Sequence, residues 1–217
     1  MRAMILAAGR GERLRPLTDE TPKPLLDVDG RPLIAHHLEK LAAAGFREVV
    51  INLAHLGDMI RDTLGSGTDW GLNIHYSQEP EGALDTGGGI QQALPMLGNA
   101  PFAVINGDVF CNYPLARLRA VKCDRVHLVL VPNPEHNPEG DFSLRGGYVG
   151  LTGQSLHTFS GISVYHPRFF DPAPGGRFSV KPMLRTAAAL QQVTGELYRG
   201  EWHDVGTRER LQALRNR

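Results

Sequence analysis

The sequence has no excess of charge of either sign, only two cysteines and no long apolar run. Its 23 Lys and Arg balance 23 Asp and Glu, which argues against a protein that binds nucleic acid through a basic surface. Two cysteines in 217 residues exclude a disulfide framework, so we expect a reducing compartment, the cytoplasm. No stretch approaches the roughly 18 apolar residues of a membrane span, and the N-terminal apolar run is too short for a signal peptide. We therefore expect neither nucleic-acid nor membrane partners.

Lysine is also scarce, because 19 of the 23 basic residues are arginine. Four of those arginines fall within the first sixteen residues, against a single acid, Glu12. The neutral total therefore hides a positive opening segment. Lys23 lies between Pro22 and Pro24, which stiffen the backbone that carries it. A compact ammonium on such a support suits a phosphate group, whereas a solvated loop lysine is the simpler interpretation of this feature alone.

Short apolar segments alternate with helical patterns along the first half of the chain. The predicted strands cover residues 3–8, 48–53, 72–76 and 102–106, and the predicted helices cover 33–45, 56–64 and 89–97. This order is typical of a mainly parallel central sheet with helices on both faces, a Rossmann-like three-layer α/β/α sandwich. Further along, the pattern predicts a strand over 126–131, an antiparallel pair over 142–151 and 156–165, and a helix over 180–192.

A glycine-containing loop follows the first predicted strand. Residues 6–18 read Leu-Ala-Ala-Gly-Arg-Gly-Glu-Arg-Leu-Arg-Pro-Leu-Thr, with Gly9, Gly11 and Arg13 directly after the strand. Small residues let a backbone approach a phosphate closely, and arginine supplies forked positive charge for its oxygens. A dinucleotide-binding fingerprint requires glycine where Leu14 stands, and a Walker A loop requires a terminal Gly-Lys-Ser/Thr, so both motifs are excluded. A tight turn with incidental arginines is the remaining alternative.

These residues, followed by Pro22-Lys-Pro-Leu25, resemble the signature of the sugar-1-phosphate nucleotidyltransferases. The family usually has Thr or Ser where Glu12 stands, so triphosphate contact at this position is left to the backbone. The resemblance extends over the chain and implies a single catalytic domain, with a nucleotide-binding half over about 1–110 and a sugar-binding half, containing a small antiparallel subregion, over about 111–217. It implies transfer of a nucleotidyl group from an NTP to a sugar 1-phosphate by in-line displacement, with release of pyrophosphate.

Two acids in the sequence are candidate metal ligands. Asp108 follows the strand over 102–106, and Asp204 lies in Trp-His-Asp-Val-Gly-Thr near the end of the chain. Taken alone, each is better explained as a cap or turn residue. The resemblance assigns both to one Mg²⁺, with substrate phosphates filling the remaining positions. The nine histidines show no zinc-ligand spacing, and Cys111 is expected to be a buried structural thiol.

The resemblance also implies roles for other residues. Arg13 would hold the departing pyrophosphate, Lys23 would stabilise charge near the α-phosphate, and Asp108 completes the catalytic set. The expected nucleotide contacts are Ala8, Gly9, Gly11, Glu12, Arg13, Lys23, Glu79, Gly87 and Gly88. Glycine is costly inside a helix, so the triplet at 87–89 would make sense if a flat nucleobase lay against its backbone. The expected sugar contacts are Asn106, Asp141, Ser160, Gly161 and Trp202.

Four segments bear on the substrates, namely Asp-Thr-Gly-Gly-Gly-Ile, Asn-Gly-Asp-Val, Gly-Asp-Phe and Phe-Ser-Gly-Ile. Together they most resemble the family members that use UTP and N-acetylmuramate 1-phosphate in peptidoglycan recycling. Alternatives within the family are guanylyltransferases for mannose or heptose 1-phosphate and thymidylyltransferases for glucose 1-phosphate. A nucleotide-sugar sensor without activity is the alternative of another class, and the intact Lys23, Asp108 and Asp204 count against it.

Overall fold

Strands and helices alternate through the first hundred residues, as the apolar patterns predict. The structure, a computed structural model, describes residues 1–80 and 82–217. The strands are β1 (Ala3–Leu6), β2 (Asp27–Val28), β3 (Arg31–Pro32), β4 (Glu48–Leu53), β5 (Asn73–Gln78), β6 (Phe102–Asn106), β7 (Val109–Cys111), β8 (Val126–Val131), β9 (Ser143–Arg145), β10 (Tyr148–Gly150), β11 (Thr158–Tyr165), β12 (Val193–Leu197) and β13 (Trp202–Asp204). The α-helices are α1 (Leu17–Glu20), α2 (Leu33–Ala43), α3 (Gly57–Leu64), α4 (Asp85–Leu97), α5 (Val180–Ala189) and α6 (Arg208–Arg215).

A nine-stranded sheet crosses the molecule in the order β5-β4-β1-β6-β11-β8-β12-β10-β9. The strands from β5 to β6 are parallel neighbours, and so are β8 and β12. Strand β11 runs antiparallel between β6 and β8, and β9 and β10 form an antiparallel hairpin at the far edge. The predicted mainly parallel α/β/α sandwich with a small antiparallel region is confirmed.

Two apolar cores cover the two faces of this sheet. In β1, Ala3 and Ile5 face one core and Met4 faces the other, as alternation along a strand requires. Helices α2 and α3 pack in the first core, and α4 and α5 pack in the second. Among the helices of the described residues, none combines the length and the apolar character needed to cross a bilayer.

The carboxyl ends of β1 and β6 meet at one edge of the sheet. The two strands are parallel and in register, so the loop after Leu6 and the turn after Asn106 lie side by side. The Gly107 amide donates to the Leu6 carbonyl at 2.9 Å, and a Cβ at Gly107 would come within 2.6 Å of that oxygen. Ligands bind at this edge in open α/β sheets, so the fold places the glycine loop and Asp108 where a site is expected.

The antiparallel pairing predicted between residues 142–151 and 156–165 is wrong. Strands β9 and β10 pair with each other, and β11 pairs with β6 and β8. Only an isolated bridge between Phe142 and His157 joins the two segments. Strand β11 is buried along almost its whole length, and a strand with two buried faces is best accommodated in the interior of a sheet.

Candidate active site

A cavity of about 320 Å³ lies at the carboxyl edge of the parallel strands. It collects groups that are far apart in the sequence, from the glycine loop to the turn after β6. The predicted site residues in its lining are Ala8, Gly9, Gly11, Glu12, Arg13, Lys23, Glu79, Asn106 and Asp108. The structure therefore brings together most of the expected nucleotide contacts and all three expected catalytic residues.

The glycine loop is held by hydrogen bonds to the first helix. Gly11 has a φ of 71°, and a Cβ there would come within 2.8 Å of a methyl group of Thr18. The Thr18 hydroxyl donates to the Gly11 carbonyl at 2.9 Å, and Arg10 donates to the Thr18 carbonyl at 2.6 Å. A Cβ at Gly9 would meet no atom within 4 Å, so the loop backbone is open to the cavity at this residue.

The positive charge of the opening segment is largely compensated by neighbouring acids. Arg10 and Arg15 both pair with Asp19, and the hydrogen bond from Arg10, followed by the one from Arg15, holds the pKa of the Asp19 carboxyl below its usual value. Arg13 makes no ion pair within the described ranges 1–80 and 82–217, and it lines the cavity. Its guanidinium lies beside Gly206, 3.2 Å from where a Cβ would stand. Arg2 donates to the Met96 carbonyl and does not line the cavity, so the arginine of this segment that is available to an anion in the cavity is Arg13.

Lys23 and Asp108 form an ion pair in the cavity wall. The Lys23 Nζ donates to the Asp108 Oδ2 at 2.6 Å. The lysine side chain is 13% exposed and the aspartate side chain 33% exposed, so the pair is shielded but reachable. The ammonium is carried by the 3₁₀ turn Lys23–Leu25, which begins after Pro22. An incoming phosphate would therefore meet a positive group already fixed in place.

A short strand pair brings the second acid next to Asp108. Strand β13 runs antiparallel to β7 and sets Asp204 opposite Val109. The Val205 amide donates to the Asp108 carbonyl at 2.7 Å. One carboxylate oxygen of Asp204 accepts from Arg210, an ion pair that neutralises the acid. The two acids expected to share a metal thus lie on neighbouring chain segments.

Asp108 and Asp204 suit a hard divalent cation in their donor chemistry. Carboxylate oxygens are the ligands that Mg²⁺ prefers, and protein sites for it commonly use one or two carboxylates with substrate phosphates. Over the part of the chain that the structure describes, no group of three or more His, Cys, Asp or Glu suited to a metal is found. The pair therefore fits a cation that is bound together with substrate better than one held by protein alone.

A buried hydrogen-bond chain connects the glycine loop with the start of α4. The Ala7 amide donates to the Asn52 Oδ1 at 2.7 Å, and the Asn52 Nδ2 donates to the Glu79 Oε1 at 2.6 Å. The other oxygen of Glu79 accepts from the Leu84 amide at 2.7 Å. Glu79 thus supports the cavity wall with both oxygens. The sequence analysis did not identify Asn52, whose signal is its place near the carboxyl end of the strand beside β1.

The glycine triplet packs against a distant segment rather than lining the cavity. Gly87 and Gly88 both donate their amides to the Phe178 carbonyl, at 2.9 and 3.1 Å. A Cβ at Gly88 would overlap the carbonyl of Gly176. Both glycines are buried within α4, because the helix predicted over 89–97 already begins at Asp85. The structure therefore does not bring Gly87 and Gly88 to the cavity, and close backbone packing explains their lack of side chains.

Two polar residues immediately before the triplet line the cavity instead. Asp85 and Thr86 both contribute to its wall. The Thr86 hydroxyl accepts from the Val180 amide at 3.0 Å, which ties the start of α4 to the start of α5. The sequence analysis missed this pair because the neighbouring glycines gave the stronger local signal.

Two of the five predicted sugar contacts line a second cavity of about 190 Å³ beside the first, whereas Ser160, Gly161 and Trp202 line neither cavity. Asn106 lines both cavities, and Asp141 lines the second. Gly161, with a φ of 80°, lies against the Asn106 side chain. The Ser160 hydroxyl donates to a main-chain carbonyl of β8 at 2.7 Å and is turned into the sheet, so it does not reach a sugar. The Trp202 indole donates to the Ser160 carbonyl at 2.9 Å, which fixes the ring near this wall.

Burial keeps two groups near the site neutral. Cys111 is 5% exposed and burial raises the pKa of its thiol, so the predicted burial of this cysteine is confirmed. His37 is 4% exposed, and its Nε2 has no hydrogen-bond partner among the described residues. Burial, and then the charge of Lys40, lowers the pKa of His37 from 6.5 to about 4.

Three comparisons place this arrangement among known proteins. The profile of a family described as nucleotidyl transferase matches residues 2–142. The chain is 50% identical to the N-acetylmuramate alpha-1-phosphate uridylyltransferase of Neisseria meningitidis serogroup B, over 97% of this chain and 95% of the relative. It is 33% identical to the Caulobacter vibrioides protein of the same name, over 94% and 91%. A solved structure, the putative glucose-1-phosphate thymidylyltransferase of Bacillus anthracis in complex with sucrose, superposes with a TM-score of 0.86 at 24% identity, covering 100% of this chain and 94% of that one, which shows the shared fold.

Proposed function

The chain belongs to the nucleotidyl transferase family, and we propose that it is an enzyme that transfers a uridylyl group from UTP to N-acetylmuramate 1-phosphate. The products are UDP-N-acetylmuramate and pyrophosphate, a reaction that returns a cell-wall sugar to precursor synthesis. The cavity that joins the glycine loop, Lys23 and Asp108 carries the reaction class. The two uridylyltransferase relatives, which match almost the whole chain, support the choice of substrates.

The glycine loop and Arg13 are proposed to hold the triphosphate. The backbone between Ala8 and Arg13 lines the cavity, and backbone amides together with a guanidinium form a cradle for phosphate oxygens. Since Arg10 and Arg15 are already paired with Asp19, Arg13 is the arginine of this segment that would keep the departing pyrophosphate in place.

The reaction needs positioning and charge neutralisation more than covalent chemistry. An oxygen of the sugar phosphate attacks the α-phosphorus in line, a new P–O bond forms, and the bond to the bridging oxygen of pyrophosphate breaks. Lys23 would neutralise charge that builds up near the α-phosphate, because its ammonium is preorganised by Asp108 at 2.6 Å.

Asp108 and Asp204 are proposed to hold one Mg²⁺. A divalent cation held by these two carboxylates would supply positive charge that offsets the negative charge of phosphate groups. Lys23 and Arg210 pair with these acids in the structure, so these cations would have to share the carboxylates or shift toward phosphate when a metal binds.

The substrate-binding walls are proposed from the two cavities. On the nucleotide side, Asp85 and Thr86 take the place expected for Gly87 and Gly88, with Glu79 supporting them from behind. On the sugar side, Asn106, Asp141, Gly161 and Trp202 would surround the hexose, whereas Ser160 contributes through its main chain.

We further propose that residues 1–217 act as one catalytic domain, with nucleotide and sugar halves that meet near residue 110. The pairing of β6 with β11 supports this, because it joins strands from the two halves within one sheet. A reaction that consumes UTP also favours the cytoplasm, where nucleoside triphosphates are made.

Pyrophosphate release from a matrix of four nucleoside triphosphates and several sugar 1-phosphates tests the proposal. The expected result is Mg²⁺-dependent release that is fastest with UTP and N-acetylmuramate 1-phosphate. A preference for GTP with mannose 1-phosphate would overturn the assigned substrates while leaving the reaction class in place. Absence of release with every pair would favour a nucleotide-sugar sensor over an enzyme.

A further inference from the structure

The second cavity is an apolar chamber that opens beside the first. Leu6, Thr86 and Asn106 line both cavities, so a substrate whose phosphate lies near Asp108 can extend into the chamber. Its inner walls are mostly aromatic and aliphatic, with Phe142 and Phe159 among them. Apolar walls suit the methyl groups and ring faces of a substituted sugar, but they do not by themselves select a charged substituent.

One cation lies in the wall of this chamber. Lys181 is the only Lys, Arg or His that lines it within residues 1–80 and 82–217. Its Nζ donates to the Asp141 Oδ1 at 3.1 Å, and the lysine side chain is 60% exposed. An ammonium has three N–H donors, and Asp141 is the only partner found for this one among the described residues. The remaining donors are therefore available to a ligand in the chamber.

Both partners of this ion pair are fixed by further contacts. The other oxygen of Asp141 accepts from the Phe159 amide at 3.1 Å and from the Asn137 side chain at 3.2 Å. Lys181 lies in the first turn of α5, where its amide donates to the capping hydroxyl of Ser179 at 3.3 Å. The helix start is in turn tied to α4 through Thr86. The ammonium thus projects from a rigid support rather than from a free loop.

We propose that Lys181 binds a carboxylate carried by the sugar, and so selects N-acetylmuramate 1-phosphate over N-acetylglucosamine 1-phosphate. The inference rests on the proposed function. The two sugars differ by a lactyl ether, whose carboxylate is the only added charge. A cation at the chamber wall recognises that carboxylate by a charge-assisted hydrogen bond. N-acetylglucosamine 1-phosphate has no carboxylate at this position to accept the bond.

Two other basic side chains, Arg177 and His136, are worse placed for this task. Arg177 lines a third cavity, with Gly9 and His55, and does not line the chamber. The His136 Nε2 lies 3.5 Å from the Asp204 carboxylate, on the side of the proposed metal ligands. They serve as comparisons for Lys181 in the test.

The test compares kcat/KM for the two sugar 1-phosphates in the wild-type protein and in Lys181→Gln. We expect the preference for N-acetylmuramate 1-phosphate to fall by about 10- to 100-fold, the range for loss of one hydrogen bond to a charged group. Lys181→Arg should retain most of the preference because it retains the charge. Lys122→Gln, at an exposed lysine outside both cavities, is the matched control and should leave the ratio of the two kcat/KM values unchanged.

The other outcomes of this test each decide one specific claim. An active wild type whose preference survives Lys181→Gln overturns the carboxylate subsite alone. Loss of the preference in Arg177→Gln or His136→Gln, but not in Lys181→Gln, moves the subsite to that residue and also overturns the proposal. A wild type that fails to use N-acetylmuramate 1-phosphate overturns the proposed function itself. If wild type and Lys181→Gln use a neutral lactamide analogue equally well, Lys181 recognises the negative charge of the lactyl carboxylate.

Discussion

Lys23 and Asp108 are 85 positions apart in the sequence and 2.6 Å apart in the structure. The pair therefore depends on the tertiary fold, in which β1 and β6 run parallel and bring the segments that follow them to one edge of the sheet. Removing either charge from such a preorganised pair costs transition-state stabilisation. We expect Lys23→Ala and Asp108→Asn each to lower kcat by at least about 100-fold, the scale for losing one preorganised charge partner.

Steady-state pyrophosphate release measures this loss, and thermal unfolding of the same variants reports whether the fold persists. Lys122→Ala is the matched control, since that lysine is exposed and lies outside the cavity. Near-normal turnover in a folded Lys23→Ala protein would remove the lysine from the mechanism.

The lowered pKa of His37 predicts how the free energy of unfolding depends on pH. The unfolded chain protonates this histidine near its ordinary pKa of 6.5, whereas the folded chain keeps it neutral down to about 4. Below pH 6.5 the unfolded state therefore binds more protons, and the free energy of unfolding falls as the solution is acidified. His37 alone should remove about 2 kcal/mol between pH 7 and pH 5.

Urea unfolding at the two pH values measures this difference. His37→Leu should reduce the dependence, because this imidazole is no longer there to protonate on unfolding. Burial also lowers the pKa of His127, so a smaller acid-side loss should remain. His75→Gln is the control, since His75 is exposed and its replacement should leave the acid-side loss in place. An equal loss in His37→Leu and in wild type would contradict the assignment.

At the scale of elements, the segment over 176–178 packs closely on the first turns of α4 and holds the helix in place. The Phe178 carbonyl accepts two amides of the glycine triplet, and a side chain at Gly88 would overlap the carbonyl of Gly176. Alanine is favoured over glycine inside a helix by about 1 kcal/mol, yet here the clash and the lost hydrogen bonds outweigh that gain. We expect Gly88→Ala to lower the free energy of unfolding by about 1–3 kcal/mol, the range for overpacking.

Gly9→Ala is the matched control for stability, because a Cβ there meets no atom within 4 Å. Its free energy of unfolding should stay near the wild-type value. If Gly88→Ala raises the free energy of unfolding, the segment over 176–178 can move away from the added methyl group at no cost in free energy, and it does not hold α4 in place.

The sequence predicts helices and strands well where burial leaves a recognisable pattern of apolar residues. The strands β1, β4 and β6 are short runs of apolar residues, and α2 shows helical spacing, so each follows from local pattern. The pair β7 and β13 was not predicted, because a three-residue strand has no measurable period. Their pairing depends on contacts between residues about 90 positions apart, which local reasoning does not reach.

The candidate site likewise contains residues that the sequence identified and residues that it missed. The phosphate-binding segments were found because glycine, proline and charge together form an unusual local pattern. Asn52 and Thr86 were missed because a single polar residue at a strand or helix end looks like any cap. Gly87 and Gly88 were given a ligand role because the sequence cannot distinguish a glycine that admits a ligand from one that admits another part of the chain.

At the scale of the whole molecule, the sheet joins the two halves. Strand β11 lies between β6 and β8 and runs antiparallel to both, so one sheet continues from the parallel strands of the first half across β11 into β8 and β12. We expect a single cooperative unfolding transition for residues 1–217. The two tryptophans test this, because Trp70 lies in the first half and Trp202 in the second.

In Trp70→Phe the fluorescence reports the second half, and in Trp202→Phe it reports the first. Both signals, and the far-UV circular dichroism, should change at the same urea concentration once each variant's own stability is taken into account. Two separate transitions in one variant would show that the halves unfold as independent domains.

The ribbon formed by β7 and β13 also has a consequence for how the protein is made. Asp204 takes its place opposite Val109 only after the ribosome has added the residues between them. At about 5–20 residues per second, translation reaches Asp204 roughly 5 to 20 s after Asp108. A chain released before this point lacks the second proposed metal ligand, and it also lacks strands of the sheet that we expect to fold as one unit. We therefore expect turnover to appear only once the chain has been made through β13.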